Sequence, residues 1–384
     1  MLEGKHILLG LSGGIAAYKI PELIRLLVKA GAEVRVTTTA NALQFVTEVT
    51  LRTLSGHTVY SDVFASVNAH ATEHISLPEW ADMMVIAPAT ANALCKMAAG
   101  IADDALTTTF AAMRKPVIIA PAMNDKMFAS PATQRAMNEL AQWTNITLLD
   151  CAEGPLACGT NGKGRMQEPE YILEEIYSAF TPKTLSGKKV VITAGPTVEK
   201  LDPVRYISNF STGKMGRALA QECRRRGAEV TLIMGSMSAR EMCEQAVTAF
   251  ADADMAILSA AVADYRPEEQ ATTKIKKQPD TAEMTLHLVE NPDIAATLGK
   301  MKKPGQQLVG FALETDHELE HAQSKLVKKN LDMIVLNSLR DDGAGFGCDT
   351  NKVTLLFRDG TQKNYPLLTK EAVAGIILDN IKLS

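Results

Sequence analysis

The chain has 384 residues, with 40 Lys plus Arg against 44 Asp plus Glu and a net charge of −4, so it lacks the basic surplus that nucleic-acid backbones require. At one domain per ~150 residues the length predicts two to three domains, and 46% hydrophobic with 22% charged residues excludes a disordered chain. Six scattered cysteines, with no CxxC pair and no ligand-spaced Cys/His cluster, exclude a disulfide framework and a structural zinc site and predict a reducing cytoplasmic setting.

The first predicted element is a buried strand, Ile7 to Leu11, running into the glycine loop Ser12-Gly13-Gly14. This apolar run is too short for a signal segment, and nowhere do ~20 apolar residues follow one another as a membrane span would need. A helix follows, ending at Gly31-Ala32-Glu33-Val34, where the glycine stops the helix and the valine opens the next strand. Further strands are predicted at Met83 to Ala87 and Val117 to Ala120. The Pro/Ser/Thr-bearing stretch 180–187 reads as a linker, dividing the chain into domains at 1–180 and 187–384. Beyond it the opening repeats: Gly187-Lys188-Lys189 leads a second buried strand into Gly195, and the helix after it ends in the same tetrapeptide, Gly227-Ala228-Glu229-Val230. Strands are then predicted at Met255 to Leu258, Leu308 to Phe311, Met333 to Leu336 and Val353 to Phe357. Repeated strand–helix alternation predicts an α/β fold of two doubly wound, mostly parallel Rossmann-like or flavodoxin-like sandwiches.

The first loop does not read Gly-x-Gly-x-x-Gly, and the second strand ends in Thr37-Thr38-Thr39 where a dinucleotide site would carry an acid. A nicotinamide-dependent dehydrogenase is therefore disfavoured. Hydroxyls and N–H groups beside a helix start (Ser12, Gly13, Gly14, Thr39) suit a terminal phosphate such as that of FMN; the alternative is that Ser12 merely caps the helix. Two later strand ends, Ala87-Pro88-Ala89-Thr90-Ala91-Asn92 and Ala120-Pro121-Ala122-Met123-Asn124, add polar residues where α/β sheets bind ligands.

The segments Gly13-Gly14-Ile15-Ala16-Ala17-Tyr18-Lys19, His74-Ile75-Ser76-Leu77, Pro121-Ala122-Met123-Asn124 and Ala157-Cys158-Gly159-Thr160-Asn161-Gly162-Lys163-Gly164-Arg165-Met166 resemble the flavin-containing cysteine decarboxylases. The run from Gly195-Pro196-Thr197 to Lys214-Met215-Gly216, with Ala260-Ala261-Val262-Ala263-Asp264-Tyr265-Arg266 and Lys274-Ile275-Lys276-Lys277, resembles the phosphopantothenate-cysteine ligase signature. In this order, over nearly the whole chain, the motifs are similar to the bifunctional decarboxylase/ligase family of coenzyme A synthesis.

For the first half the resemblance implies FMN-dependent decarboxylation, in which transient oxidation of the cysteine side chain to a thioaldehyde lets the carbanion left by CO2 loss delocalise as an ene-thiolate. It implies proton handling by His74, which precedes an apolar, strand-like triplet, and carboxylate orientation by Asn124, whose plainer role is a turn or cap. Proton donation falls to Cys158 on a glycine-dense flap. Thr90 and Asn92 join the flavin site, and Arg165 and Met166 contact substrate. Phe128 departs mildly from the family pattern. For the second half no Walker loop is present, since Met215 stands in the Ser/Thr position. The resemblance implies activation of 4'-phosphopantothenate by CTP as an acyl-cytidylate. Asn209 contacts the carboxylate with Arg205 in support, Lys274 neutralises the phosphates, and CTP meets Ala260, Asp264, Pro292, Asp293, Ile294, Ala295, Phe311, Lys325 and Lys329. The plainer reading of the Pro196-to-Gly216 stretch is a structured loop with Ser211 as helix cap. A Mg²⁺ ion without a dedicated protein cage is expected with CTP, its ligands unassigned. Small-molecule substrates, no nucleic acid, no membrane and a homo-oligomer are expected; the resemblance implies a dodecamer. The competing expectation is a decarboxylase-like regulatory subunit without ligase activity.

Overall fold

The computed structural model describes residues 2–64, 72–155, 161–276, 284–314, 317–338 and 347–381. It divides into two compact units, Met1–Phe180 and Thr181–Ser384. Predicted linker residues do not hang free: Leu185 is buried in the core of the second unit, and the Lys183 Nζ donates to the Arg225 carbonyl at 2.7 Å.

The first unit carries strands β1 (His6–Leu11), β2 (Glu33–Thr38), β3 (Val59–Tyr60), β4 (Met83–Ala89), β5 (Val117–Pro121) and β6 (Ile146–Leu148), in the order β3-β2-β1-β4-β5-β6 with every pairing parallel. Leu8, Met84, Ile86 and Ile119 face one hydrophobic core, and Ile7, Leu9, Val85 and Ile118 face another, as alternation along doubly covered strands requires. An antiparallel hairpin, β7 (Ala152–Pro155) with β8 (Asn161–Arg165), then leads to the helix Pro169–Phe180.

In the second unit β9 (Lys189–Ala194) is followed by a small hairpin, β10 (Val198–Lys200) with β11 (Tyr206–Ser208). The main sheet adds β12 (Glu229–Met234) and β13 (Met255–Leu258). A second small pair is β14 (Tyr265–Pro267) with β15 (Leu288–Glu290). Next come β16 (Gln307–Glu314) and β17 (Met333–Ser338) of the main sheet; β18 (Thr350–Asn351), β19 (Val353–Phe357), β20 (Gln362–Asn364) and β21 (Leu368–Thr369) complete the strands. The main sheet runs β12-β9-β13-β16-β17-β19-β20, parallel up to β17, while β19 and β20 are antiparallel. The predicted strand Val353 to Phe357 thus forms but runs antiparallel to β17, with no helix between β17 and β19 among the described residues to carry a parallel crossover.

The repeated Gly-Ala-Glu-Val performs the same task twice. Gly31 (φ 93°) and Gly227 (φ 89°) end the helices Ile20–Lys29 and Lys214–Arg225 in the left-handed region that residues with a Cβ avoid. Each chain then turns directly into the strand beside the first, β2 and β12.

Candidate active sites

In the first unit the C-terminal ends of β1, β4 and β5 open into a cavity of about 980 Å³, at the upper end of the usual range for a small-molecule site. Ser12, Gly13, Gly14, Thr39, Thr90, Asn92, Asn124, Arg165 and Met166 all line it. Their hydrogen bonding separates their uses. The buried Ser12 hydroxyl donates to the Pro88 carbonyl at 2.7 Å and accepts from the Thr90 N–H at 2.9 Å, so it staples β1 to the end of β4 instead of capping a helix. Thr90 caps Ala91–Ala98, accepting from the Ala93 N–H, and its Oγ1 lies 3.1 Å from the Ser12 Oγ; Thr39 accepts from the Ala42 N–H at 3.3 Å and keeps an O–H to donate. A Cβ on Gly13 would lie 2.5 Å from the Asn41 Cβ and one on Gly14 3.2 Å from the Thr90 methyl, so this backbone must be bare to pass between those loops. Two buried hydroxyls on the preceding strand, Thr37 and Thr38, have no partner. Spare hydroxyl donors beside a bare backbone turn and a roomy, partly apolar cavity fit the phosphate and ring of FMN.

Asn124 caps the turn Asp125–Phe128, its Oδ1 accepting from the Lys126 N–H at 2.9 Å, and it also lines the cavity. It is held there by β8, since the Met123 N–H donates to the Gly164 carbonyl at 2.8 Å. Cys158 lies outside the described residues, between the two strands of that hairpin. Cys151 is buried, and burial pushes its thiol up to about 11. His74 departs from expectation. It sits in the first turn of the helix Glu73–Trp80, not before a strand, and it does not line this cavity; its Nδ1 is buried without a partner. The short Ile-Ser-Leu run was read as a strand because it is too brief to show its period.

The second cavity, about 740 Å³, lies over the C-terminal ends of β9, β13, β16 and β17. Asn209, Ala260, Asp264, Pro292, Asp293, Ile294, Ala295, Phe311, Lys325 and Lys329 line it together. The Asn209 Nδ2 donates to the Ala261 carbonyl at 3.0 Å, and the Ala260 N–H lies 3.4 Å from the Thr193 Oγ1. Asp293 caps Ile294–Met301 and pairs with the Lys329 Nζ at 2.9 Å. Burial alone would raise its carboxyl, but the Ala296 N–H and Lys329 hold it below the usual range.

Arg205 and Lys274 do not line this cavity. The Arg205 guanidinium is committed to the buried Asp202 (Nε to Oδ2, 3.0 Å) and to the Ile275 carbonyl at 2.7 Å, while the Ile275 N–H donates back to Asp202. Arg205 therefore ties down the segment that carries the exposed Lys274 and is not itself a cavity wall. Nor does Ser211 cap the helix Lys214–Arg225: Gly213 (φ 74°) takes the cap position and Ser211 accepts from the Gly213 N–H.

Several cavity residues escaped sequence reasoning. In the first unit the buried Lys19 pairs with Glu168 at 2.8 Å, and Glu168 pairs with Arg165 at 2.6 Å. Lys96 pairs with Asp103, and Asp104 lies beside it. In the second, Lys214, Asn351 and Lys370 line the cavity. Lys19 and Lys214 stood inside recognisable motifs. Lys370 had no local signal, because only the pairing of β18 with β21 carries it to the sheet's edge. Among the described residues no three His, Cys, Asp or Glu side chains gather to hold a metal.

A flavoprotein family model matches residues 1–181, and the model of the DNA/pantothenate metabolism flavoprotein C-terminal domain matches 185–383. The coenzyme A biosynthesis bifunctional protein CoaBC of Bacillus subtilis is 45% identical over 99% of this chain and 97% of its own. The chain belongs to the family of bifunctional coenzyme A biosynthesis proteins. A second relative, a cysteine/cysteine sulfinic acid decarboxylase from an unknown prokaryotic organism, is 48% identical over 88% of this chain and 98% of its own. The crystal structure of a CoaBC C-terminal domain is 40% identical, covering 51% of this chain and 94% of that one with a TM-score of 0.43. The family places a flavoprotein decarboxylase domain before a ligase domain, and no helix described here is long and apolar enough to cross a membrane.

Proposed function

We propose that the second unit joins 4'-phosphopantothenate to cysteine with CTP, and that the first unit decarboxylates the phosphopantothenoylcysteine so formed to 4'-phosphopantetheine. The observation that carries this reading is the pairing, in one chain, of both family domains with a separate cavity in each. Bound FMN would supply the transient oxidation that makes loss of CO2 from a cysteine carboxyl feasible. Around it, Thr39, Thr90 and the Gly13-Gly14 backbone hold the phosphate, and Asn124, fixed by its cap, orients the substrate carboxylate. Arg165 binds the substrate's anionic end, and Cys158 donates the closing proton. In the second unit Asn209 orients the activated carboxyl. The segment Pro292–Ala295 with Phe311, Lys325 and Lys329 holds the nucleotide, and Asp264 reads its base or ribose. Lys274 meets the phosphates from the strand-linking segment that Arg205 secures. A Mg²⁺ ion would arrive with the triphosphate. Cytoplasmic location and self-assembly complete the proposal.

Purified protein given phosphopantothenate, cysteine and CTP is expected to release pyrophosphate and CO2 and to form phosphopantetheine. Cys158→Ser is expected to stall the first unit at an oxidised product with reduced flavin, and full turnover by that variant would overturn its role. Asn209→Asp is expected to abolish ligation or accumulate the acyl-cytidylate while decarboxylation persists. The 48% identity to an amino-acid decarboxylase favours one second reading, direct decarboxylation of cysteine or its sulfinate. CO2 release from either compound without CTP would select it.

A further inference from the structure

We infer that Lys370, supported by Lys214, forms the amino-acid subsite of the second cavity, where its ammonium takes the α-carboxylate of the incoming cysteine. The inference rests on the ligase reading and concerns a wall that reading leaves unused. The helices Lys214–Arg225 and Lys370–Asp379 pack together on one face of the sheet, through Met215, Leu219, Val373 and Ile377. Ile294–Met301 and Glu318–Lys328 pack on the opposite face, through Ile294, Leu298, Ala322 and Leu326. The residues assigned to the nucleotide are drawn from the loop before Ile294–Met301, from β16 and from the end of Glu318–Lys328, so Lys214 and Lys370 form a separate cationic wall of the same cavity.

That wall is built. Only 6% of Lys370 is exposed, and its Nζ donates to the Cys348 carbonyl. The Lys214 Nζ lies 2.6 Å from Asp349 Oδ1 and 3.1 Å from the Gly347 carbonyl, and the Asn351 amide reaches the Met215 sulfur. Burial lowers the Lys370 pKa and the neighbouring Lys214 lowers it further, against the opposing pull of Cys348, Asp349 and Glu371, and a bound anion would favour the ammonium held out of water. Asp349 beside Lys214 and Glu371 beside Lys370 already offset part of this wall's charge, and a singly charged carboxylate asks less of it than a phosphate dianion. The chemistry also demands such a contact. Cysteamine carries the same amine and thiol, and ligating it would bypass decarboxylation altogether, so the acceptor must be selected by its carboxylate.

The test compares cysteine with cysteamine as acceptors for the full-length enzyme, following amide formation by mass spectrometry. Wild type is expected to prefer cysteine, and Lys370→Met to lower kcat/KM for cysteine about 100-fold, the worth of one charge-assisted hydrogen bond in a desolvated site. Activity with cysteamine should change little, so that the preference collapses. Lys370→Arg should recover part of it, and Lys214→Met should lower it about tenfold. Pyrophosphate release from CTP and phosphopantothenate without cysteine reports on folding and on the ligase reading by itself. If wild type releases none, the ligase reading falls and the inference with it. If wild type releases it and Lys370→Met depresses both acceptors equally, or instead raises KM for phosphopantothenate, the ammonium serves the acyl substrate's phosphate and the inference is overturned.

Discussion

Both units place a cavity over the C-terminal ends of parallel strands, and both end their first helix with Gly-Ala-Glu-Val, yet they differ in what fills the gap between first strand and first helix. In the first unit β1 passes through a bare glycine turn into Ile15–Lys19 and then Ile20–Lys29. In the second the β10/β11 hairpin intervenes, carrying Arg205 and leading to Asn209. Their charges are placed differently. Cations of both cavities meet acids, Lys19 and Arg165 meeting Glu168 and Lys96 meeting Asp103 in the first, Lys329 meeting Asp293 and Lys214 meeting Asp349 in the second, but in the second the lysines stand on two opposite walls. Sheets of one design thus make crevices of different lining: the length of the first loop and the placing of the lysines set the two cavities apart.

The strongest way to separate the units is to fill one tight glycine in each. A Cβ on Gly164 (φ 151°) would stand 2.4 Å from the Met123 carbonyl, breaking the contact that holds Asn124 over the first cavity. Gly164→Ala should destabilise this region by about 3 kcal/mol and release bound flavin, read from the flavin absorbance of the dialysed protein. A Cβ on Gly216 would stand 2.3 Å from the Ala194 Cβ and 2.7 Å from the Ser259 Oγ, prising the helix Lys214–Arg225 off β9. Gly216→Ala should cost about 2 kcal/mol and abolish CTP-dependent pyrophosphate release while flavin stays bound. Loss of both functions in either variant would show that the units are not independent.

Next in size come the ion pairs. Arg226 and Glu222 are both buried and 2.8 Å apart, and Arg226 also reaches Asp379 at 2.7 Å. Arg226→Met leaves Glu222 to the more distant Arg225 guanidinium at 3.6 Å and should cost the second unit about 2 kcal/mol by urea denaturation. Lys19→Met should cost the first only about 1 kcal/mol, because Glu168 is half exposed.

Acid extends the comparison. The Lys19 hydrogen bond holds the Glu168 carboxyl below its usual range, and the Arg205 guanidinium, joined by the N–H groups of Val204, Ile275 and Arg205 itself, holds Asp202 further below. A folded-state pKa below the unfolded one gives stability that is complete above the unfolded value, ~4.3 for Glu and ~3.9 for Asp, and is lost as pH falls through the folded value. These two groups therefore leave both units unaffected between pH 7 and about pH 5. Below that, the Glu168 contribution fades first and that of Asp202 at lower pH. Both tryptophans, Trp80 and Trp143, belong to the first unit, so their fluorescence follows it alone while far-UV circular dichroism follows both. The fluorescence transition should precede the remaining dichroism change, and Asp202→Asn should remove the acid sensitivity that Asp202 lends the second unit.

The parallel strands of both sheets were legible because runs such as Leu8-Leu9 and Val190-Val191-Ile192 are buried on both faces and stand out as apolar. The site residues that sat in glycine-bearing loops were legible too, since Gly13, Gly14 and Gly213 mark where backbone must pass close to something. The neighbourhoods of His74 and Arg205 do not show the surroundings each meets: the run after His74 is too short to betray the helix Glu73–Trp80, and Asp202 takes Arg205 through a loop no periodicity describes. Lys370 was invisible for the same cause in reverse: its neighbourhood is an ordinary helix start, and only the long-range pairing of Asn351 with Leu368 makes it a cavity wall.

The smallest effect distinguishes the units by their thiols. Burial pushes Cys151 of the first unit up to about 11 and Cys223 of the second, which packs in the hydrophobic core, up to about 12. At pH 8 the thiolate fraction at these values is about one in a thousand for Cys151 and one in ten thousand for Cys223, against roughly a quarter for an ordinary thiol, and the thiolate is the form that alkylates. Cys95 and Cys348 are partly exposed and should react first with iodoacetamide, as peptide mass mapping over a time course would report. Cys151 should follow slowly, because it is buried just before β7 and its Sγ contacts the Pro121 carbonyl at 3.7 Å, so it meets reagent only when that segment opens. Cys223 lies within a helix against the main sheet and should label only on unfolding of the second unit. Equal protection of the two would mean that the segment bearing Cys151 opens no more readily than the core of the second unit.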